Sequence, residues 1–177
     1  MKFLTLAEKE LQTLAYTSID MPHLLISITE PGRDAVIPKL HHCKEILRLH
    51  FHDIQNVSKD YTCFDSSMAK KIIDFVNLNA NRVELIVVHC YAGVSRSVAV
   101  ASALAKIINH KDDNIFSRGV PNMMVYSTIL DAYFLTPNAH KKWPKIHYLR
   151  TLSMKQELSP VVNKIWTYKI EHNGDIL

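Results

Sequence analysis

The sequence predicts an α/β protein with a mostly parallel central sheet flanked by helices. Short apolar runs rich in β-branched residues alternate along the chain with longer segments of helical period, and turn-forming residues separate them. In addition, a strand, a tight loop and a helix follow one another directly over residues 85–108, with the loop at the carboxyl end of the strand, where such folds place ligands. No repeat, low-complexity tract or obvious linker interrupts the pattern. A chain of 177 residues with 47% hydrophobic content suits one domain with an ordinary packed core.

The elements follow in order. Thr5-Leu6-Ala7-Glu8 fits a capping box, which predicts a short helix from there to near Tyr16. Residues 22–29 (PHLLISIT) are apolar and close on Glu30-Pro31-Gly32, a turn signal, so they read as a core strand. Residues 35–40 are too short to classify. Residues 44–51 (KEILRLHF) alternate Ile46, Arg48 and His50 against Leu47, Leu49 and Phe51, a strand with one apolar and one more polar face. Asp65 can cap a helix from Ser66 to about Leu78, in which Met68, Ile72, Phe75 and Val76 recur at helical spacing. Leu85-Ile86-Val87-Val88 reads as a buried strand, Ser97 to Ile108 as a mostly apolar helix, and Asn122 can cap a helix over 123–134. Residues 161–170 have strand character.

The loop in the middle carries the chemistry. His89-Cys90-Tyr91-Ala92-Gly93-Val94-Ser95-Arg96-Ser97 places a cysteine and an arginine six positions apart. Successive backbone N–H groups in a tight loop form a nest for an anion, and a helix starting at its end adds unpaired N–H groups and a positive dipole end. Tyr91, Ala92, Gly93, Val94, Ser95 and Arg96 would form that phosphate-binding cradle. The same field would favour a thiolate at Cys90, which makes it a candidate nucleophile. Arg96 closes the loop with a planar fork that can bind two phosphate oxygens and stays charged. Gly93 fits a backbone conformation or a close approach that a side chain would forbid.

HCYAGVSRS resembles the signature of the cysteine-based protein tyrosine and dual-specificity phosphatases: histidine-cysteine, five residues, arginine, then serine or threonine. The resemblance is tight over residues 83–109, extends to about 22–135, and is absent after that. It implies the dual-specificity-like phosphatase fold, and hydrolysis of phosphotyrosine, with phosphoserine or phosphothreonine as further substrates, through a cysteinyl-phosphate. By this resemblance Ser97 would hydrogen-bond the cysteine sulfur, and His89 would order the loop. The chemistry also needs an acid for the leaving oxygen. In the family it is an aspartate on a loop after an earlier strand. Asp53, 37 positions before Cys90 and directly after the strand at 44–51, fits best, with Asp60 as competitor. A Pro-Asn pair late in many relatives supports the active loop. Here Pro121-Asn122 reads more simply as a helix cap.

Two other classes share parts of the pattern. A phosphate-binding module with little catalysis would keep Arg96 and the loop but lack a usable acid. A phosphatase of RNA 5′-ends or phosphoinositides would share the chemistry behind a wider or more basic mouth, and the lysine typical of the phosphoinositide-directed relatives is replaced here by Tyr91 and Ala92. His41, His42, Cys43, His50, His52 and Asp53 are metal-type ligands without a metal-type spacing, so no metal or other cofactor is expected. Three cysteines, Cys43, Cys63 and Cys90, suggest reduced thiols rather than a disulfide framework. No apolar stretch approaches a membrane span, and the opening MKFLTLAEKELQ is acidic too early for a secretory signal, so a cytoplasmic location is expected.

The net charge of +4 is uneven. Residues 1–137 hold 14 Lys+Arg and 14 Asp+Glu, whereas residues 138–177 hold 7 and 3, so the whole excess lies in the latter. The reading is a catalytic domain over 1–137 and a basic extension over 138–177 packed on the same domain. The expected partner is a phosphorylated protein substrate. The extension could dock an acidic partner, and nothing in it matches a nucleic-acid-binding motif.

Overall fold

The computed structural model of the protein describes residues 1–14 and 19–135. The helix end expected near Tyr16, the strand character at 161–170 and the basic extension at 138–177 lie outside the described residues.

Four parallel strands form one sheet: β1 (Lys2–Ala7), β2 (His23–Thr29), β3 (Cys43–His50) and β4 (Leu85–Cys90), in the order β1-β4-β2-β3. The helices are α1 (Glu8–Thr13), α2 (Ser66–Asn79), α3 (Arg96–Asn109), α4 (Asp113–Phe116) and α5 (Met123–Phe134), with a 3-10 turn at Ala80–Arg82. The α/β class with a parallel sheet is as the sequence predicts.

The two inner strands, β2 and β4, are buried at every residue, which is why they read as unbroken apolar runs. Alternation still sorts their side chains. Leu24, Ile26, Ile28, Ile86, Val88 and Cys90 join the main core beneath α2, α3 and α5, while Leu25, Leu85 and Val87 form a smaller core with Leu11 of α1. The segment left unclassified at 35–40 forms no regular element, yet Ile37 and Leu40 pack against that smaller core. β3 is an edge strand. Its Leu49 is buried while Lys44, Glu45 and Arg48 are exposed, charges that blunt the edge against further pairing.

The first element departs from expectation. Thr5 lies in β1, where it pairs with Val88, and the helix begins only at Glu8 with Ala7 as its cap. Alanine has no side-chain acceptor, so only half of a capping box exists: Glu10 accepts a hydrogen bond from the Ala7 N–H at 2.6 Å. Six paired positions along β4 outweigh the local Thr5–Glu8 signal. α1 runs over Glu8–Thr13, with Leu14 at its C-cap. The other caps are as expected: Asp65 accepts from the Met68 N–H at 2.9 Å and Asn122 from the Val125 N–H at 3.2 Å.

Candidate active site

β4 delivers Cys90 to the carboxyl edge of the sheet, and the chain then turns through residues 91–95 into α3. Gly93 makes the turn possible. Its φ is +76°, and a Cβ there would lie 2.5 Å from the Ala7 backbone nitrogen, so both the conformation and the close approach require glycine. On the opposite flank Val94 O accepts from the Val120 N–H at 2.9 Å, and a Cβ on Gly119 would sit 2.2 Å from that same oxygen. The loop is therefore clamped between the end of β1 and the segment leading into α5.

Cys90 is buried, with its sulfur 3.2 Å from Ser97 Oγ and receiving the Gly93 N–H at 3.3 Å. A hydroxyl, a backbone donor and the start of α3 all face that sulfur. The three cysteines of the chain are free thiols. His89 points to the other face of the sheet, where its Nε2 lies 2.7 Å from the Oγ of its cross-strand neighbour Ser27. Burial pushes its pKa down to about 4, so the ring is neutral at physiological pH.

Arg96, the first residue of α3, is 3% exposed. One terminal nitrogen donates to Phe51 O at 2.7 Å, the other pairs with Glu30 Oε1 at 2.8 Å, and Nε lies 3.8 Å from Asp53 Oδ2 without a hydrogen bond. Asp53 is fixed through its other oxygen, which accepts from Ser95 Oγ at 2.9 Å and from Asn122 Nδ2 at 2.8 Å. Asp60 sits in an exposed bend where its own N–H donates to Ser58 Oγ. Cys90 thus meets Ser97, and Arg96 meets Asp53, at the start of α3.

One member of the cluster was not apparent from sequence, and a second was read only as a helix cap. Glu30 opens the turn signal that follows β2, and nothing local ties it to Arg96; only the adjacency of β2 and β4 does. Asn122 does more than cap α5. The same side chain that accepts from Val125 donates to Asp53 and to Ile54 O at 2.9 Å, which joins the helix start to the Asp53 loop. The metal-type side chains do not assemble among the described residues. His50 Nδ1 lies 2.9 Å from Thr29 Oγ1, and His52 Nδ1 accepts from the Thr62 N–H at 3.0 Å.

The fold is similar to that of solved dual-specificity phosphatase structures. The chain superposes on human DUSP28 with a TM-score of 0.50 and 14% identity, covering 73% of this chain and 90% of that one. A histidine-for-tyrosine variant of human DUSP28 gives 0.51 and 15%, covering 73% and 88%. A mouse protein described as a dual specificity phosphatase, complexed with zinc tungstate, gives 0.50 and 16%, covering 78% and 86%. At these identities the likeness is one of fold. No protein-family model matches the chain, and no curated protein matches it by sequence.

Proposed function

We propose that the chain is a cysteine-dependent phosphoester hydrolase that removes phosphate from phosphotyrosine, and from phosphoserine or phosphothreonine, in proteins. The observation that carries this reading is the convergence at the start of α3 of a buried cysteine, a buried arginine and a tethered aspartate.

In the first step the Cys90 thiolate attacks phosphorus; an S–P bond forms as the P–O bond to the leaving oxygen breaks. Asp53 hands that oxygen a proton from Oδ2, the carboxyl oxygen not taken up by Ser95 and Asn122. In the second step Asp53 takes a proton from water, the water oxygen attacks phosphorus, and the S–P bond breaks while the Ser97 hydroxyl donates to the departing sulfur. Arg96 and the N–H groups of residues 91–96 hold the phosphoryl oxygens throughout and supply the charge stabilisation, so no metal ion is written into the cycle. Placing Arg96 in that role requires its guanidinium to exchange part of its contact with Glu30 and Asp53 for the substrate.

Turnover of an aryl phosphate and of phosphopeptides tests the reading. Cys90→Ser abolishes turnover, and Asp53→Asn lowers kcat by about 10²–10⁴-fold, more for alkyl than for aryl leaving groups. Retained turnover in Cys90→Ser would rule out the covalent route. An intact rate in Asp53→Asn with loss in Asp60→Asn would move the acid to Asp60.

A further inference from the structure

Next to the site lies a charged ledge that the proposed cycle does not use. Tyr91 follows the nucleophile directly. Its peptide belongs to the loop, while its ring projects outward and is 68% exposed. The guanidinium of Arg33 sits 6.0 Å from the centre of that ring and pairs with Glu8. Arg33 is fixed from behind. Its N–H donates to Glu30 O at 3.4 Å and its carbonyl accepts from Thr29 Oγ1 at 2.7 Å. One turn, residues 30–33, therefore sends Glu30 inward to Arg96 and Arg33 outward to Tyr91. Glu8 is placed by the same loop, since its N–H donates to Tyr91 O at 3.2 Å.

A guanidinium carries five N–H donors, and Glu8 engages one nitrogen of Arg33. The side chain is 38% exposed, held by Glu8 and within cation–π range of the Tyr91 ring, so binding an anion there costs it little further ordering. We infer that Arg33 and Tyr91 form a second anion-recognition point, and that the substrate is a phosphoprotein segment with a carboxylate or second phosphate two to four residues from the phosphate being removed. An extended peptide advances about 3.3 Å per residue, so an anion a few residues from the phosphate can reach a side chain that borders the residue after the nucleophile. The inference rests on the hydrolase reading and narrows its substrate class. One guanidinium, ion-paired with Glu8 through one of its nitrogens and beside the uncharged Tyr91, Ala92 and Val94, suits one extra anion better than the several of a phosphoinositide headgroup.

The test compares three phosphotyrosine peptides differing only at the third position beyond the phosphotyrosine: alanine, glutamate or phosphoserine. The wild-type protein should prefer glutamate over alanine by about three- to fivefold in kcat/KM, through KM, and phosphoserine by more. Arg33→Ala should bring both ratios to about one, and Arg33→Lys should keep part of them. Each ratio is taken within one variant, so partial misfolding does not alter it. Equal ratios in wild type and Arg33→Ala, or no preference in the wild type, would overturn the inference. Preference for vesicles carrying a monophosphorylated inositol lipid over all three peptides would also overturn it. The affinities of the same peptides for Cys90→Ser protein give the ratios without turnover. If the wild type hydrolyses nothing, the hydrolase reading fails, and these affinities still decide the ledge.

Discussion

Two cations are buried along the same helix. Arg96 opens α3 and Lys106 lies in its last turn, roughly 15 Å further on. Both are nearly inaccessible and both face carboxylates. The helix dipole treats them oppositely: it disfavours a cation at Arg96 and favours one at Lys106. Their partners differ too. Lys106 faces Asp112 Oδ1 at 3.7 Å, and Asp112, itself 9% exposed, receives the Tyr126 hydroxyl, whose pKa burial and that carboxylate raise well above the usual range. That cluster is closed on all sides. The acids around Arg96 reach solvent, Glu30 at 40% and Asp53 at 34% exposure. An arriving anion can therefore replace part of the Arg96 pairing, whereas it has no route to Lys106. A buried charge becomes a binding site when its counter-charges are the more accessible members of the cluster.

The largest expected effect is at Arg96. Arg96→Ala should lower turnover by about three orders of magnitude, measured on an aryl phosphate, and Arg96→Lys should fare little better because the fork that meets two oxygens is lost. Near-native activity in Arg96→Lys would break the contrast. Lys106→Met should do the reverse. It strands Asp112 and costs about 3 kcal/mol in denaturant unfolding with kcat nearly unchanged, and Asp112→Asn added to it should recover part of the loss.

His89 sharpens the comparison as a buried group that stays neutral. Its folded-state pKa of about 4 lies below the ordinary 6.5, so the unfolded chain binds the extra proton first. Its contribution is full above pH 6.5 and is lost as the pH falls toward 4, on the order of 2 kcal/mol. In His89→Gln that part of the pH dependence should flatten, as read from unfolding midpoints across the range. The smallest effect is expected at Asn122. Asn122→Ala removes a helix cap and the tether on Asp53, costing about 1 kcal/mol of stability and about tenfold in kcat, the latter concentrated on substrates with poor leaving groups.

The loop geometry was legible because it is local: Cys90, Gly93, Arg96 and Ser97 lie within eight residues, and their strand and helix flank them in sequence. Asp53 was legible at one remove, as the first acid after a recognisable strand. Glu30 was not, because its role exists only once β2 lies beside β4. Asn122 was half legible, its cap visible in sequence and its bond to Asp53, 69 positions away, invisible. The β1 strand was misread for the same reason. Thr5 and Glu8 satisfy a local helix rule, while the pairing that decides the matter lies on a strand some 83 positions later.

That pairing has a kinetic consequence. Among the described residues β1 pairs with β4 alone, and the wall against which Gly93 curves is the backbone of Leu6 and Ala7. The mould for the loop after β4 is thus made before the cast, the two joined by a contact spanning 86 residues. Closing so long a span is entropically slow. During folding the core of α2, α3 and α5 can consolidate on β2 and β4 first, and competence to bind an anion should arrive with the docking of β1, as a late phase separable from the gain of helix.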